Sequence, residues 1–132
     1  MKLLFIITGS IAVSKCYDIL EILKDNKIEI DCIVTNNAIK LLDISKLRKK
    51  ISGKIYTDKN ETRIKMNHIN LSRVNDMIVV CPATANTIAK LANGYGDNLA
   101  STTLLASNKP IIFIPAMNSM MWDNHINKKN IQ

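Results

Sequence analysis

Hydroxyl and amide side chains are concentrated in residues 82–87, where Thr84, Asn86 and Thr87 follow a short apolar run. Such donors at the start of a helix suit a phosphate or a ribityl chain, because the positive end of the helix dipole attracts an anion. Capping of the helix by Thr84 is the simpler explanation, but a cap requires only one of these side chains. We therefore favour a ligand-binding loop at this position.

A second candidate loop, residues 9–12, contains Gly9 and Ser10. Its backbone N–H groups and its serine hydroxyl could face an anion at a helix N-terminus. The loop has a single glycine, whereas a dinucleotide-binding fingerprint requires G-x-G-x-x-G, and the chain contains no G-x-x-x-x-G-K-[ST] phosphate loop. A plain tight turn explains this segment as well as an anion site does.

Residues 115–122 place three methionines and the only tryptophan of the chain around Asn118. Clusters of methionine and tryptophan belong to a hydrophobic core more often than to a cofactor site. Asn118, however, follows an apolar run of strand length, where its amide could hold a carboxylate or the edge of a flavin while the apolar neighbours exclude water. The sequence leaves both interpretations open.

Histidine and cysteine give weaker indications. An isolated histidine is usually structural; of the two in this chain, His68 and His125, the second lies in a polar run and is expected at the surface. Cys16, Cys32 and Cys81 are far apart and form no C-x-x-C pair, which argues against a disulfide scaffold and a zinc site. We expect the cysteines to be buried as small hydrophobic residues.

The elements that must position these loops follow from hydrophobic periodicity. Apolar runs of strand length predict strands at residues 2–8, 28–35, 77–81 and 111–114, with a loop or an edge strand at 53–57. Apolar residues at helical spacing predict helices at residues 12–23, 38–42, 85–92 and 98–107, the last capped by Asp97. Strands that alternate with helices indicate an α/β fold with an open, mainly parallel, Rossmann-like sheet flanked by helices.

The length and composition fit one cytoplasmic domain. At 132 residues the chain is long enough for a core of its own, and 47% hydrophobic and 22% charged residues exclude a disordered chain. The apolar run at residues 111–117 is too short to span a membrane, and the run at residues 3–7 is too short for a signal peptide. We expect no membrane partner.

The net charge of +7 comes largely from one part of the chain. Residues 38–66 hold nine basic and three acidic side chains, a net charge of +6. Such a patch could steer a phosphorylated small molecule or RNA. We favour a solvated lysine-rich face, because the whole chain is rich in Ile, Asn and Lys, and we expect no nucleic-acid partner.

In open parallel sheets, ligands bind beyond the carboxyl ends of the strands. This rule selects four segments of the chain, residues 8–11, 35–37, 81–87 and 115–121. All four are rich in Gly, Ser, Thr, Asn or Pro, as is typical of loops that bind ligands. We expect the ligand of this domain to lie among them.

Together these segments resemble the flavin-containing cysteine decarboxylases, and within them the decarboxylase domain of the phosphopantothenoylcysteine decarboxylases. Residues 8–12, Thr-Gly-Ser-Ile-Ala, are similar to the first flavin loop of that family, and residues 67–71, Asn-His-Ile-Asn-Leu, to the segment with its active-site histidine. Residues 82–90 resemble the phosphate-side loop and helix, and residues 94–99 the G-x-x-D-N-L motif. Residues 115–118, Pro-Ala-Met-Asn, match the most diagnostic signature.

The resemblance implies FMN as the cofactor and no metal. The residues that it places around FMN are Gly9, Ser10, Ile11, Thr35, Thr84, Ala85, Asn86, Thr87 and Ala116. It implies that the flavin oxidises the cysteine side chain of phosphopantothenoylcysteine, so that carbon dioxide can leave and phosphopantetheine is formed for coenzyme A. His68 would manage the proton of the thiol, Asn118 would orient the carboxylate, and Met120 would line the substrate pocket. The flavin would lie between the subunits of a homotrimer or an assembly of trimers.

The sequence departs from the family beyond these motifs. We expect residues 1–132 to be the FMN-binding domain without the C-terminal substrate flap, because none of the three cysteines matches the reducing cysteine of that flap. A peptidyl-cysteine decarboxylase, which releases an oxidised ene-thiol and needs no reducing cysteine, is therefore an alternative. A non-catalytic FMN-binding module or fragment is another.

Overall fold

The computed structural model describes residues 1–61 and 67–132, without the side chains of residues 60, 61 and 67–69. The strands in these ranges are β1 Lys2–Ile7, β2 Glu29–Val34, β3 Ile55–Tyr56, β4 Met77–Ala83 and β5 Ile111–Pro115. They form a parallel sheet in the order β3-β2-β1-β4-β5. The predicted open parallel α/β sheet is confirmed, and residues 53–57 contain an edge strand.

Helices cover both faces of this sheet. In chain order they are a 3₁₀ turn Ile11–Lys15, α1 Cys16–Asp25, α2 Asn36–Ile39, α3 Ile44–Lys50, α4 Asp58–Glu61, α5 Asn67–Val74, α6 Ala85–Ala92, α7 Leu99–Ala106, α8 Ser119–Asp123 and α9 His125–Ile131. Helices α1 and α3 pack against each other over one face, and α5, α6 and α7 pack together over the other. None of the helices described is long and apolar enough to cross a membrane.

Strand β1 lies at the centre of the sheet and is buried on both faces. Phe5 and Ile7 belong to the hydrophobic cluster that includes α1, and Leu4 and Ile6 belong to the cluster that includes α6 and α7. All four side chains are fully buried, and each contributes about 1.5–3 kcal/mol to folding. A strand that is covered on both sides requires a continuous apolar run, which explains why β1 shows no alternation.

Strand β4 is longer than the sequence predicts. It continues past residue 81 through Pro82 to Ala83, and its register against β5 is irregular between Val80 and Ala83. The Cys81–Pro82 peptide bond is cis. Proline has no N–H for the ladder, so it is tolerated where the register is irregular. The extension brings the following residue, Thr84, to the carboxyl edge of the sheet.

Helix α7 begins one residue later than predicted, because Asn98 and not Asp97 is its cap. The Asn98 side chain accepts a hydrogen bond from the backbone N–H of Ser101 at 2.8 Å, and the Ser101 hydroxyl accepts one from the backbone N–H of Asn98 at 3.2 Å. This reciprocal pair is a capping box. Asp97 instead forms an ion pair with Lys90.

Two further helices differ from their predicted bounds. The helix predicted at residues 12–23 begins as a 3₁₀ turn and continues as α1 to Asp25. The helix predicted at residues 38–42 is α2, which begins earlier because the Thr35 side chain accepts a hydrogen bond from the backbone N–H of Ala38 at 3.3 Å. A cap at Thr35 starts α2 directly after β2.

Helix α3, which carries some of the basic residues of the segment 38–66, packs against helix α1. Lys50 forms an ion pair with Glu21 at 3.0 Å, and the Lys46 ammonium lies 4.4 Å from the centre of the Tyr17 ring. These lysines therefore take part in packing one helix against another, which favours a structural role for this part of the positive charge.

Candidate functional site

Two adjoining clefts lie at the carboxyl ends of the strands. The first, which we call the polar cleft, has a volume of about 300 Å³. It is lined by Thr8, Gly9, Thr35, Asn36, Asn37, Asp58, Thr84, Asn86, Thr87, Lys90 and Asn98. The second, the apolar cleft, has a volume of about 560 Å³. It is lined by Gly9, Ser10, Ile11, Ala12, Thr84, Ala85, Asn86, Ala116, Met117, Asn118 and Met121.

The fold brings together the residues that the sequence predicts around a cofactor. All nine line at least one cleft, and Gly9, Thr84 and Asn86 line both. They come from the ends of β1, β2, β4 and β5, four strands that are far apart in sequence. Because these strands are parallel, their carboxyl ends meet at one edge of the sheet.

Thr8 joins two of the loops; it lies in the predicted ligand segment 8–11 but was not among the nine residues placed around FMN. Its buried hydroxyl donates a hydrogen bond to the carbonyl of Pro82 and accepts one from the backbone N–H of Thr84 at 3.1 Å. The two bonds fix the loop after β4 relative to the end of β1. A hydroxyl at the end of a buried strand is the only local signal for this role.

Thr84 caps helix α6, which is the simpler of the two roles considered for it from the sequence. Its hydroxyl accepts a hydrogen bond from the backbone N–H of Thr87 at 3.3 Å and lies 3.1 Å from the Thr87 hydroxyl. Asn86 is exposed and lies between these two residues, at the junction of the clefts. The loop therefore supplies both a cap and a side chain that faces the clefts.

The loop after β1 approaches α2 closely at Gly9. A Cβ atom on Gly9 would lie 2.5 Å from the Cβ of Asn37, which is too close for any side chain. Ser10 caps the 3₁₀ turn, since its hydroxyl accepts a hydrogen bond from the backbone N–H of Ala12 at 3.1 Å. The glycine is thus needed for contact with α2, and the serine for the start of the next turn.

Two charged residues of the polar cleft were missed by the sequence prediction. Lys90 forms a 3.0 Å ion pair with Asp97, and this contact holds the pKa of the Asp97 carboxyl below its usual range. Asp58 accepts a hydrogen bond from the backbone N–H of Leu99 at 2.8 Å. Lys90 lies four residues after Asn86, a helical spacing that could have identified it. No local pattern points to Asp58.

Asn118 lies where the sequence predicts, at the apolar cleft. Its side-chain oxygen accepts a hydrogen bond from the backbone N–H of Met121 at 2.8 Å and caps helix α8. The side-chain nitrogen is the atom that is left to donate to a ligand. Met120, predicted in a substrate pocket, is 84% exposed and lines neither cleft.

Of the Met and Trp cluster, Met117 packs against the hydrophobic core, whereas the other three side chains are exposed. Met121 is 40% and Trp122 45% exposed, and on β5 Ile112 and Ile114 are 45% and 42% exposed. A further cleft of about 470 Å³ is lined by residues of α6, β5 and α9 and by the C-terminal residue. The end of the sheet at β5 therefore presents an apolar surface, which we call the β5 surface, comprising Ile112, Ile114, Met120, Met121 and Trp122.

His68 belongs to helix α5, but its side chain lies outside the described residues. Its predicted role in proton transfer is therefore still a prediction. The other histidine, His125, begins helix α9 and is exposed, as expected.

The cysteines are free and buried, as predicted. The Cys16 thiol donates a hydrogen bond to the backbone carbonyl of Cys81 at 3.2 Å. A side-chain hydrogen bond with Cys81, together with burial, raises the pKa of Cys16 far above its usual value, and the same side-chain bond lowers the pKa of Cys81. Burial likewise raises the pKa of Cys32. Protonated thiols in the core are poor nucleophiles and reductants. Among the described residues no cluster of metal-ligating side chains occurs.

The whole chain, residues 1–132, matches the family described as Flavoprotein. The coenzyme A biosynthesis bifunctional protein CoaBC of Bacillus subtilis is 35% identical over 98% of this chain, which spans only 32% of that protein. The probable phosphopantothenoylcysteine decarboxylase of Streptococcus mutans is 33% identical, and 75% of its length is covered. The chain thus spans about a third of the bifunctional relatives that it matches.

Solved structures show the same likeness. The peptidyl-cysteine decarboxylase EpiD superposes with a TM-score of 0.89 at 32% identity, over 98% of this chain and 77% of that one. A PPC decarboxylase mutant complexed with pantothenoylaminoethenethiol superposes with a TM-score of 0.88 at 31% identity, over 98% and 74%.

Proposed function

This chain belongs to the Flavoprotein family, and from that premise we propose that it is the FMN-binding part of a phosphopantothenoylcysteine decarboxylase. Its reaction would convert phosphopantothenoylcysteine to phosphopantetheine in coenzyme A biosynthesis. The observation that carries the proposal is the pair of adjoining clefts at the carboxyl edge of the sheet, one polar and one apolar.

The two clefts suit the two halves of FMN. The hydroxyls and amides of the polar cleft, among them Thr35 and Thr87, match the hydrogen-bonding needs of a ribityl phosphate. Ile11, Ala85 and Ala116 give the apolar cleft a surface suited to a flat aromatic ring. Asn86, which lines both clefts, would contact the junction of the two halves.

When bound, FMN would supply the two-electron oxidation of the substrate thiol that decarboxylation requires, and in its reduced form it would return the two electrons so that the product is the thiol phosphopantetheine. The chain's own residues would bind and orient the substrate. Asn118 would donate a hydrogen bond from its side-chain nitrogen to the carboxylate, because its oxygen is held by Met121. His68 would take the thiol proton, since an imidazole titrates near neutral pH. Met120 would contact the substrate where a neighbouring subunit or a further segment covers it.

The named relatives support this substrate, and one observation favours a second. The Streptococcus mutans relative is named as a probable phosphopantothenoylcysteine decarboxylase. EpiD, named as a peptidyl-cysteine decarboxylase, has a similar fold and a similar level of identity. Cys16 and Cys32 are buried and their pKa values are raised, so these thiols are poor reductants, which is compatible with a peptidyl-cysteine decarboxylase. A peptide that ends in cysteine is therefore the competing substrate.

A homotrimer or an assembly of trimers belongs to the same proposal. Met121 of the β5 surface lines the apolar cleft, and burial of this surface between subunits would complete the flavin site. A cytoplasmic setting is also part of the proposal, because three free cysteines are typical of a reducing compartment.

The test is to incubate the purified chain with FMN and either phosphopantothenoylcysteine or a peptide ending in cysteine, and to measure carbon dioxide release. We expect release from the first substrate and a yellow protein with a flavin spectrum. His68→Asn should reduce the rate by about 100-fold or more and leave FMN bound. If FMN is bound but neither substrate releases carbon dioxide, the proposal that the chain is an enzyme is contradicted. Release from the peptide alone would favour the competing substrate.

A further inference from the structure

The polar cleft has one cationic side chain among its described lining residues, that of Lys90. Its ammonium is 3.0 Å from Asp97, and the Lys90 side chain is only 22% exposed, whereas that of Asp97 is 60% exposed. The other charged lining residue is Asp58, whose carboxylate is engaged by the backbone N–H of Leu99. The remaining lining residues are neutral.

Lys90 shares one face of helix α6 with two other lining residues. It lies four residues after Asn86 and three after Thr87, and side chains at these spacings are neighbours on a helix surface. All three line the polar cleft. The hydroxyl of Thr87, the amide of Asn86 and the ammonium of Lys90 therefore lie on one side of the helix. Of the three, the ammonium belongs to the residue farthest from the Thr84 cap.

A phosphate ester in this cleft needs a positive charge. Phosphate carries up to two negative charges near neutral pH, and charges held in a partly buried site are normally paired. The end of α6 contributes only a partial charge, and Asp58 would repel an anion. The ion pair between Lys90 and Asp97 is weak, because the carboxylate is well exposed to water. Lys90 is thus available to a stronger anionic partner.

We propose that Lys90 recognises the phosphate of the bound flavin and so makes the protein prefer FMN to riboflavin. Asp97 holds the ammonium beside the polar cleft when no phosphate is present. This proposal rests on the proposed flavin function but concerns a residue outside the set that the sequence predicts around the cofactor. It gives the interaction a specific chemical signature, because riboflavin has the same ring and ribityl chain without the phosphate.

The test compares dissociation constants of FMN and riboflavin for the purified full chain, measured by quenching of flavin fluorescence. Lys90→Met should weaken FMN by about tenfold or more and change riboflavin by less than about twofold. Lys90→Arg should keep most of the preference for FMN. Lys128→Met, on the exposed side of α9, removes an equal charge and should change neither value.

Asp97→Asn separates phosphate recognition from a merely structural ion pair. It breaks the pair with Lys90 but keeps the cation, so we expect the preference for FMN to be retained or increased. Loss of FMN affinity in Asp97→Asn equal to that in Lys90→Met would overturn the proposal, as would equal weakening of both flavins in Lys90→Met. Equal binding of FMN and riboflavin by the wild-type chain would overturn it while leaving the decarboxylase intact. No binding of either flavin would overturn both.

Discussion

Asn86 shows how one side chain can contribute to two parts of a site. The residues on either side of it line one cleft each and are also tied into the fold: Ala85 is buried and Thr87 is hydrogen-bonded to the Thr84 cap. Asn86 is exposed and lines both clefts. Capping and ligand binding are therefore not alternatives in this loop, because the cap formed by Thr84 leaves the Asn86 side chain to face both clefts.

We expect a negative charge at the position of Asn86 to weaken FMN binding. Asn86→Asp keeps the size of the side chain but places a carboxylate in the lining of the polar cleft that we propose for the ribityl phosphate, so FMN affinity should fall by about tenfold or more. Asn130→Asp, on α9 and outside both clefts, is the matched control and should bind FMN as the wild type does. Equilibrium dialysis or fluorescence quenching measures both. Unchanged affinity in Asn86→Asp would place the phosphate elsewhere.

Among the elements, the loop after β1 and helix α2 are held at a spacing that only glycine permits. The backbone of Gly9 faces Asn37, and the Thr35 cap fixes where α2 begins. Gly9 lines both clefts and Asn37 lines the polar one, so the distance between these elements sets the shape of the site.

Gly9→Ala should therefore affect binding and stability together. Its Cβ would lie 2.5 Å from the Cβ of Asn37 and 3.1 Å from the Asn37 backbone carbon, so α2 must move. We expect a loss of about 1–3 kcal/mol in the free energy of unfolding by urea and weaker FMN binding.

The matched control for that variant is Gly96→Ala. Its Cβ would meet the tip of the Leu105 side chain at 3.2 Å, and a flexible side chain can move aside. Gly96→Ala should stay within about 0.5 kcal/mol of the wild type. If Gly9→Ala were as stable as this control and bound FMN equally well, close contact between the loop and α2 would not define the site.

On the scale of the whole molecule, the centre of the sheet is covered on both faces, but its edge at β5 is not. The central strand β1 is buried on both faces, whereas on β5 Ile112 and Ile114 are nearly half exposed. These isoleucines belong to the β5 surface together with Met120, Met121 and Trp122. Exposed apolar side chains of this kind beside a ligand site are typical of an interface between subunits.

Ile112→Lys should disrupt the proposed trimer. A lysine in the middle of a buried apolar interface leaves an unpaired charge, so the association constant should fall by about 100-fold or more. Ile22→Lys is the control: Ile22 is 62% exposed on helix α1, away from the β5 surface, and its replacement should leave assembly unchanged. Sedimentation equilibrium gives the mass of each. A wild-type monomer, or an Ile112→Lys trimer as stable as the wild type, would contradict the proposed interface.

The sequence by itself determined the strands, the helices α1, α2, α6 and α7, and most of the residues at the clefts, whereas helices α3, α4, α5, α8 and α9 were not predicted. Burial on both faces requires an apolar run, so the lengths of β1 and β2 were legible, and the four loops followed because parallel strands end at one edge. The bounds of β4 and α7 could not be predicted in the same way. The end of β4 was missed because a strand can continue through a proline where its register is irregular. The start of α7 was missed because the neighbouring residues Asp97 and Asn98 are both good caps.

Only the tertiary structure decided which distant residues meet. The Thr8 hydroxyl contacts Pro82 across 74 positions of the chain, and Asp58 contacts Leu99 across 41. Periodicity reports which face of an element is buried, but it carries no information about which partner lies opposite. For the same reason the sequence placed Lys90 on the helix after the predicted ligand loop, but its place in the lining of the polar cleft followed only from the position of helix α6 at the edge of the sheet.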